Sequence, residues 1–188
     1  MRIGVVSDTH GFFDPRLHEV LAGSELILHA GDVGSEGVLD ALAEIAPILA
    51  VRGNVDSILL NLPPSRRLTL QGVQIEMLHI LPGSQSDLVK WAKTKDLDEK
   101  QSARKAAFER SFDGPTRLVI FGHSHEPCLA ALGGRLFFNP GSAGKQRFSL
   151  PRCCGFVEIT PGELRATIVP LGRYNIGVPE EVRLSLGG

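Results

Sequence analysis

Residues 1–51, MRIGVVSDTHGFFDPRLHEVLAGSELILHAGDVGSEGVLDALAEIAPILAV, carry the pattern that decides the fold. Ile3 to Val6 is a short β-rich run ending in Ser7-Asp8, and it reads as a buried strand. Asp14-Pro15 reads as a helix start, an N-cap residue followed by proline at the first helical position. The predicted helix runs to about Ala22, where Gly23 stops it. Leu26-Ile27-Leu28 is a second strand, followed by Gly31-Asp32. From Glu36 to Ile45, the side chains of Val38, Leu39, Leu42 and Ile45 share one helical face. Pro47 ends that helix, and Ile48 to Val51 is a third strand. The order β-α-β-α-β is the signature of a parallel α/β sheet.

Beyond residue 51 the pattern changes. Arg67 to Leu70 and Val73 to Leu78 flank Gln71-Gly72, which predicts a hairpin. Leu118 to Phe121 is another apolar strand, and Gly133-Gly134 separates two short ones. Cys154 to Thr160 and Leu164 to Val169 flank Pro161-Gly162, a second hairpin. Between these strands, residues 84–113 are polar, mixed in charge and helical in character. They read as a solvated helical insert or cap on a single domain spanning 1–188. Pro82-Gly83 just before them raises the alternative of a lid.

Bulk properties exclude several classes. A chain of 188 residues can bury roughly 70% of the surface it exposes when unfolded, so it needs no covalent staple. Its formal net charge of −1 gives no electrostatic reason to expect nucleic acid or an acidic membrane. Arg66-Arg67 and Lys93/Lys95 are too sparse to form a nuclease groove. Cys128, Cys153 and Cys154 are odd in number and lack a CxxC pair, which argues for reduced thiols in a cytoplasmic protein. No stretch approaches the ~20 apolar residues of a membrane span, and the N-terminal apolar run is too short for a signal peptide.

The chemistry-bearing residues follow strands. Asp8-Thr9-His10 follows the first strand, Gly31-Asp32 the second and Gly53-Asn54-Val55-Asp56 the third. His79 ends the run Val73 to Leu78, and Gly122-His123-Ser124-His125 follows Leu118 to Phe121. In open α/β sheets the carboxyl ends of strands line the ligand crevice, so these loops converge. If extended, Asp8 with His10, and His123 with His125, point the same way in pairs. Neighbouring glycines are expected to supply the sharp turns.

The joint order, DTH, then GD, then GNVD, then His79, then GHSH and the following NPGS, resembles the calcineurin-like metallophosphoesterases, most closely their small single-domain phosphodiesterases. The resemblance runs from residue 3 to about residue 160. It implies an α/β fold, a four-layer α/β/β/α sandwich of two mixed sheets flanked by helices. It implies two divalent ions, with Asp8, His10, Asp32 and His125 on one, and Asp32, Asn54, His79 and His123 on the other. Asp32 would bridge them, and Asp32, Asn54 and His123 would serve catalysis by positioning metal and phosphate. The implied reaction is hydrolysis of a phosphodiester or phosphomonoester by in-line attack of a hydroxide shared by the ions. The mixed N/O ligand set suits Mn²⁺, Fe, Zn²⁺, Ni²⁺ or Co²⁺, with Mn²⁺ favoured because relatives often use it. The implied partner is a small phosphate-ester substrate, and a homodimer is a further expectation. The alternative is a non-catalytic interaction scaffold, as the retromer subunit is on this fold.

Two positions depart from the wider pattern. Val55 stands where larger relatives carry a His that protonates the leaving group, so no such acid is evident. Ile80 follows His79 where relatives usually have Gly, and Ile does not readily adopt positive φ, so this loop is expected to differ. Asp56 reads either as orienting a ligand or as capping a turn, and Arg52 either as a phosphate contact or as a surface charge. His29 reads as a buried, hydrogen-bonded residue and His18 as an exposed helix residue. Asn139-Pro140-Gly141-Ser142 reads as a structural turn.

Overall fold

The computed structural model describes residues 1–94, 96–147, 149–173, 177 and 179–186. Lys95 of the sparse basic cluster lies outside them. The first sheet is built from β1 (Arg2–Val6), β2 (Leu26–His29), β3 (Ile48–Ala50), β9 (Cys153–Thr160), β10 (Glu163–Pro170) and β11 (Glu181–Ser185). Its strand order is β11-β10-β9-β1-β2-β3. β1, β2 and β3 run parallel, whereas β1 and β9 pair antiparallel with Ile3 opposite Val157. The second sheet is built from β4 (Ser65–Leu70), β5 (Val73–Leu78), β6 (Thr116–Ile120), β7 (Cys128–Leu132) and β8 (Arg135–Asn139), in the order β4-β5-β6-β8-β7. β5, β6 and β8 are parallel neighbours, so both sheets are mixed.

The layers follow from period-two alternation along the strands. Ile3 and Val5 of β1 and Leu118 and Ile120 of β6 face inward, meeting Met77, Phe138 and Val157 in the core between the sheets. Val6 faces outward against Leu17 of α1 (Arg16–Val20) and Val38 and Leu42 of α2 (Glu36–Ala43). Gly4 shares that outer face, and a Cβ there would lie 3.1 Å from Leu21. On the other flank, Val119, Phe121 and Phe137 pack against Leu88 and Trp91 of α3 (Gln85–Lys93) and Phe108 of α4 (Glu99–Glu109). Within the polar stretch 84–113, α3 and α4 thus pack on the outer face of the second sheet. Ser84 and Asp98 cap these two helices through their side chains.

Two elements differ from the pattern read in the sequence. α1 is only five residues long; Pro15 precedes it in helical geometry, and Asp14 accepts the Arg16 N–H. β11 was not foreseen, because EVRLS buries nothing fully and lies at the sheet edge. It is held by its antiparallel ladder to β10 and by Val182 and Leu184, which pack part-buried against the core, and the ion pairs Arg165–Glu181 and Arg183–Glu163 cross between the two strands. Such charges also discourage pairing with another chain. The three cysteines are buried and free, and burial pushes the Cys128 and Cys153 thiols up to about 12. No helix among the described residues is long and apolar enough to cross a membrane.

One ion-pair network ties the start of α1 to the segment before β9. Asp14 is buried and accepts from Arg16 at 2.6 Å and from Arg152 at 2.5 Å. The Arg16 hydrogen bond, aided by Arg152 and opposed by burial, lowers the Asp14 carboxyl to about 2. A carboxyl depressed on folding adds stability above its unfolded value of 3.8 and loses it as pH falls toward 2. Asp14→Asn is therefore expected to lower urea-unfolding stability by about 2 kcal/mol at pH 7, with the difference fading between pH ~4 and ~2. A difference that stayed constant across that window would assign it to packing.

Candidate metal centre

The three parallel strands of the first sheet and β5 and β6 of the second end at one edge of the sandwich. Past those ends the loops are laced together by backbone hydrogen bonds. Asp8 N–H donates to Gly31 O, His10 N–H to Asp32 O and Gly11 N–H to Val33 O. Gly122 N–H donates to His79 O, joining the two loops of the second sheet. The sheets are joined to each other by His123 N–H, which donates to Asp8 Oδ2 at 3.1 Å.

The backbone here is turned in a way the sequence did not disclose. Asp8, His10, Asp32, His123 and His125 all have positive φ, between 48° and 71°. Among the described non-glycine residues only Asn61 and Gln71 share that region. The expectation of an extended DxH and HxH is thus corrected: the ligand residues themselves occupy the left-handed turns. Such conformations cost of order 1–3 kcal/mol each and persist where the surroundings enforce them. Gly11 and Gly31 beside these residues turn as well, at φ 77° and 97°, as expected of neighbouring glycines, whereas Gly53 and Gly122 are needed for close approach. A Cβ on Gly53 would sit 2.0 Å from Asp32 Oδ1, and one on Gly122 2.0 Å from Ser7 Oγ and 2.6 Å from Asp8 Oδ2.

The result is a cluster in which acceptors face acceptors. Asp8 Oδ2 accepts from Ser7 Oγ–H and His123 N–H. Asp8 Oδ1 is buried with no hydrogen-bond partner. Around it stand Nε2 of His125 at 3.3 Å, of His10 at 3.9 Å and of His79 at 4.0 Å. The Nε2 atoms of His10 and His125 lie 3.0 Å apart. His79 donates from Nδ1 to Ala30 O at 2.7 Å, which directs the lone pair of a neutral ring's Nε2 at Asp32 Oδ2, 3.2 Å away, and Asn54 Oδ1, 3.1 Å away. Asn54 Oδ1 also lies 2.9 Å from His123 Nδ1.

Such an arrangement is costly unless cations sit among the donors. Without metal, protons serve in part. Burial lowers the His79 pKa, but Asp32 and Asp8 overcome it and the net shift is upward. Burial raises that of Asp32, yet His79 and the Val55 N–H bring it down to about 2. His10 is lowered, by burial first and Arg147 second.

Imidazole and carboxylate donors, with a ring nitrogen fixed by a backbone carbonyl behind it, fit divalent transition-metal ions. Two groups meet ligand spacing: Asp8, His10 and His125, and Asp8, Asp32 and His79. Asp8 is common to both. Asp32 Oδ2 also faces both sides, 3.8 Å from His10 Nε2 as well as 3.2 Å from His79. Asn54 and His123 are exposed at the mouth.

The remaining sequence candidates separate clearly. Asp56 accepts from Gly34 N–H and Gly53 N–H, both at 2.8 Å, so it ties the second loop to the third. Arg52 lines a cleft beside Asn54 and His79. Ile80 keeps negative φ and turns its side chain outward, leaving His79 in the cluster. His18 is exposed against Phe13. His29 is fully buried, and burial holds it down to about 4, so it is neutral. Its Nδ1 accepts from Gly31 N–H, so its Nε2 donates to Thr9 Oγ1, whose hydroxyl donates to Val33 O. Asn139 donates to Gly122 O and Ser142 to Asp8 O, so the NPGS turn braces both sheets' loops.

Sequence reasoning missed Ser7, which holds Asp8, and Gln85 of α3, which accepts from Ser124 and Asn139. It also missed Lys145 and Arg147 beside His125. Only the short separation of Lys145 and Arg147 from the NPGS turn could have signalled them.

Known proteins share this architecture. A structure of Vps29 from Chaetomium thermophilum is 18% identical, with 98% of each chain covered and a TM-score of 0.71. A structure of a protein described as a novel archaeal phosphodiesterase is 20% identical, covering 90% of this chain and all of that one, with a TM-score of 0.63. In sequence, a probable metallophosphoesterase of Methanocaldococcus jannaschii is 32% identical over 158 residues, 81% of this chain and 71% of that one. Residues 1–162 match the calcineurin-like phosphoesterase superfamily domain, and with that relative they establish that the chain belongs to the calcineurin-like phosphoesterase superfamily.

Proposed function

We propose that the chain is a phosphodiesterase whose cluster holds two divalent ions, Mn²⁺ foremost, through Asp8, His10, Asp32, Asn54, His79, His123 and His125. Family membership supports a phosphoesterase, and the archaeal phosphodiesterase on the same fold favours diesters. The observation that carries the proposal is Asp8 Oδ1, buried, unpartnered and ringed by three imidazole nitrogens. When bound, such ions supply hydroxide near neutral pH and draw charge from the phosphoryl oxygens.

The chain's own residues do the rest. Ser7 and the His123 N–H hold Asp8 in one orientation, and Ala30 O does the same for His79. In this reading Asn54 and His123, exposed at the mouth, would position metal and phosphate. With Val55 in place of a leaving-group acid, the departing oxygen takes its proton from water, which favours good leaving groups. The alternative, a non-catalytic interaction scaffold on this fold, predicts no turnover with or without metal.

The test is hydrolysis of bis(p-nitrophenyl) phosphate by the purified chain. Activity is expected with added Mn²⁺ and is expected to vanish after chelation, returning when Mn²⁺ is restored. Turnover indifferent to chelator would refute the proposal.

A further inference from the structure

Among the described residues, the exposed large apolar side chains are Val55, Ile58 and Ile80, at 56%, 78% and 51% exposure. Two of them directly follow candidate ligands, Val55 after Asn54 and Ile80 after His79. A cleft of about 270 Å³ opens there, walled by Pro64, Leu78 and Ile80, with Arg52 on its rim and Asn54 and His79 toward the centre. The other flank of the centre, beside His125, carries the exposed Lys145 and Arg147. The mouth is therefore apolar on one side and cationic on the other.

Apolar surface rimmed by polar groups marks a binding groove more than a resting surface. Its volume is just below the usual range for drug-sized ligands, which suits a single ring system. Arg52 narrows the chemistry further. A guanidinium stacks on aromatic faces and gains little from alkyl groups.

We infer that the cleft between Arg52 and Ile80 seats an aromatic substituent of the phosphate ester, and that Ile80 sets a preference for aromatic over small alkyl esters. This rests on the phosphodiesterase reading for its link to turnover, but the binding preference stands separately. Ile80 builds a wall that a glycine at this position would leave open.

The test titrates phenylphosphonate and methylphosphonate into the Mn²⁺-loaded full chain by calorimetry. Phenylphosphonate is expected to bind about tenfold tighter, the scale of a small apolar group filling a pocket. In Ile80→Thr, which keeps the β-branched backbone preference, the ratio is expected to fall to about twofold or less; Arg52→Ala should reduce it as well. Ile80→Leu should retain it.

Equal affinities in the parent chain, no binding of either probe, or a ratio untouched in Ile80→Thr would each overturn the inference. So would a dimer that dissociates in Ile58→Ser while no aromatic preference is found, which would assign the patch to an interface between copies. Hydrolysis of bis(p-nitrophenyl) phosphate, measured in parallel, separates the two claims. Turnover without aromatic preference removes the inference alone, and aromatic preference without turnover removes the catalytic reading alone.

Discussion

Asp32→Asn is expected to reduce Mn²⁺-dependent hydrolysis of a chromogenic phosphodiester by about a thousandfold, the upper scale for removing a preorganised electrostatic contact. The substitution isolates charge well. Asparagine tolerates the left-handed backbone that Asp32 adopts at φ 53°, and its carbonyl oxygen can still accept the Val55 N–H. What it removes is the second carboxylate oxygen's charge, which faces His10 and His79 together. A binding readout accompanies the kinetic one. At Mn²⁺ a hundredfold above Kd, a bound ion stabilises the fold by about 2.7 kcal/mol. For a domain of this size that raises Tm by roughly 5–10 °C. In Asp32→Asn the rise is expected to shrink below ~2 °C. A variant that kept both its turnover and its Mn²⁺-induced rise would remove Asp32 from the centre.

The largest stability effect is expected at Gly53. An alanine Cβ there would stand 2.0 Å from Asp32 Oδ1 and 2.1 Å from Asp32 N. A side-chain end can swing aside, but the backbone nitrogen of Asp32 belongs to a loop pinned by the His10 N–H on its carbonyl. The third loop must therefore move away from the second. Gly53→Ala is expected to destabilise by about 3 kcal/mol or more, the upper range for overpacking, and to lower Tm by roughly 6–12 °C. It should also weaken Mn²⁺ binding, because Asn54 moves with it. Gly37→Ala is the control: a Cβ there meets nothing within 4 Å, it lies in α2, and alanine favours a helix by up to ~1 kcal/mol. Equal melting temperatures for the two variants would contradict the close-approach reading.

The strands of both halves were legible because each is an apolar run bounded by turn residues. Gln71-Gly72, Gly133-Gly134 and Pro161-Gly162 mark their hairpins plainly, and all three join the strands expected. Their division into two sheets was legible only through family resemblance. Periodicity assigns Ile3 and Val157 each to a strand but carries no signal that the two are neighbours. β11 escaped because its alternating Val182 and Leu184 are only partly buried at the sheet edge and stand among charges, a weak signal in a short segment. The site's residue types and their places after strands could be read directly. Their geometry could not, because positive φ at Asp8 or His125 is imposed by neighbouring loops, and propensity would assign it to the glycines. Arg52 and Ile80 looked like an incidental charge and a departure; only the cleft between them gave them a shared setting.

β1 lies inside the first sheet, with β2 on one side and β9 on the other. During synthesis its partner on one side is available within about twenty residues, while the other emerges only after Val157 has been made. At ribosomal rates of ~5–20 residues per second, the open side of β1 waits on the order of ten to thirty seconds. The nascent chain thus exposes one unpaired edge of an apolar strand until β9 has been made. Yield in a cell should therefore depend on holdase chaperones and on growth temperature more than the stability of the finished protein would suggest.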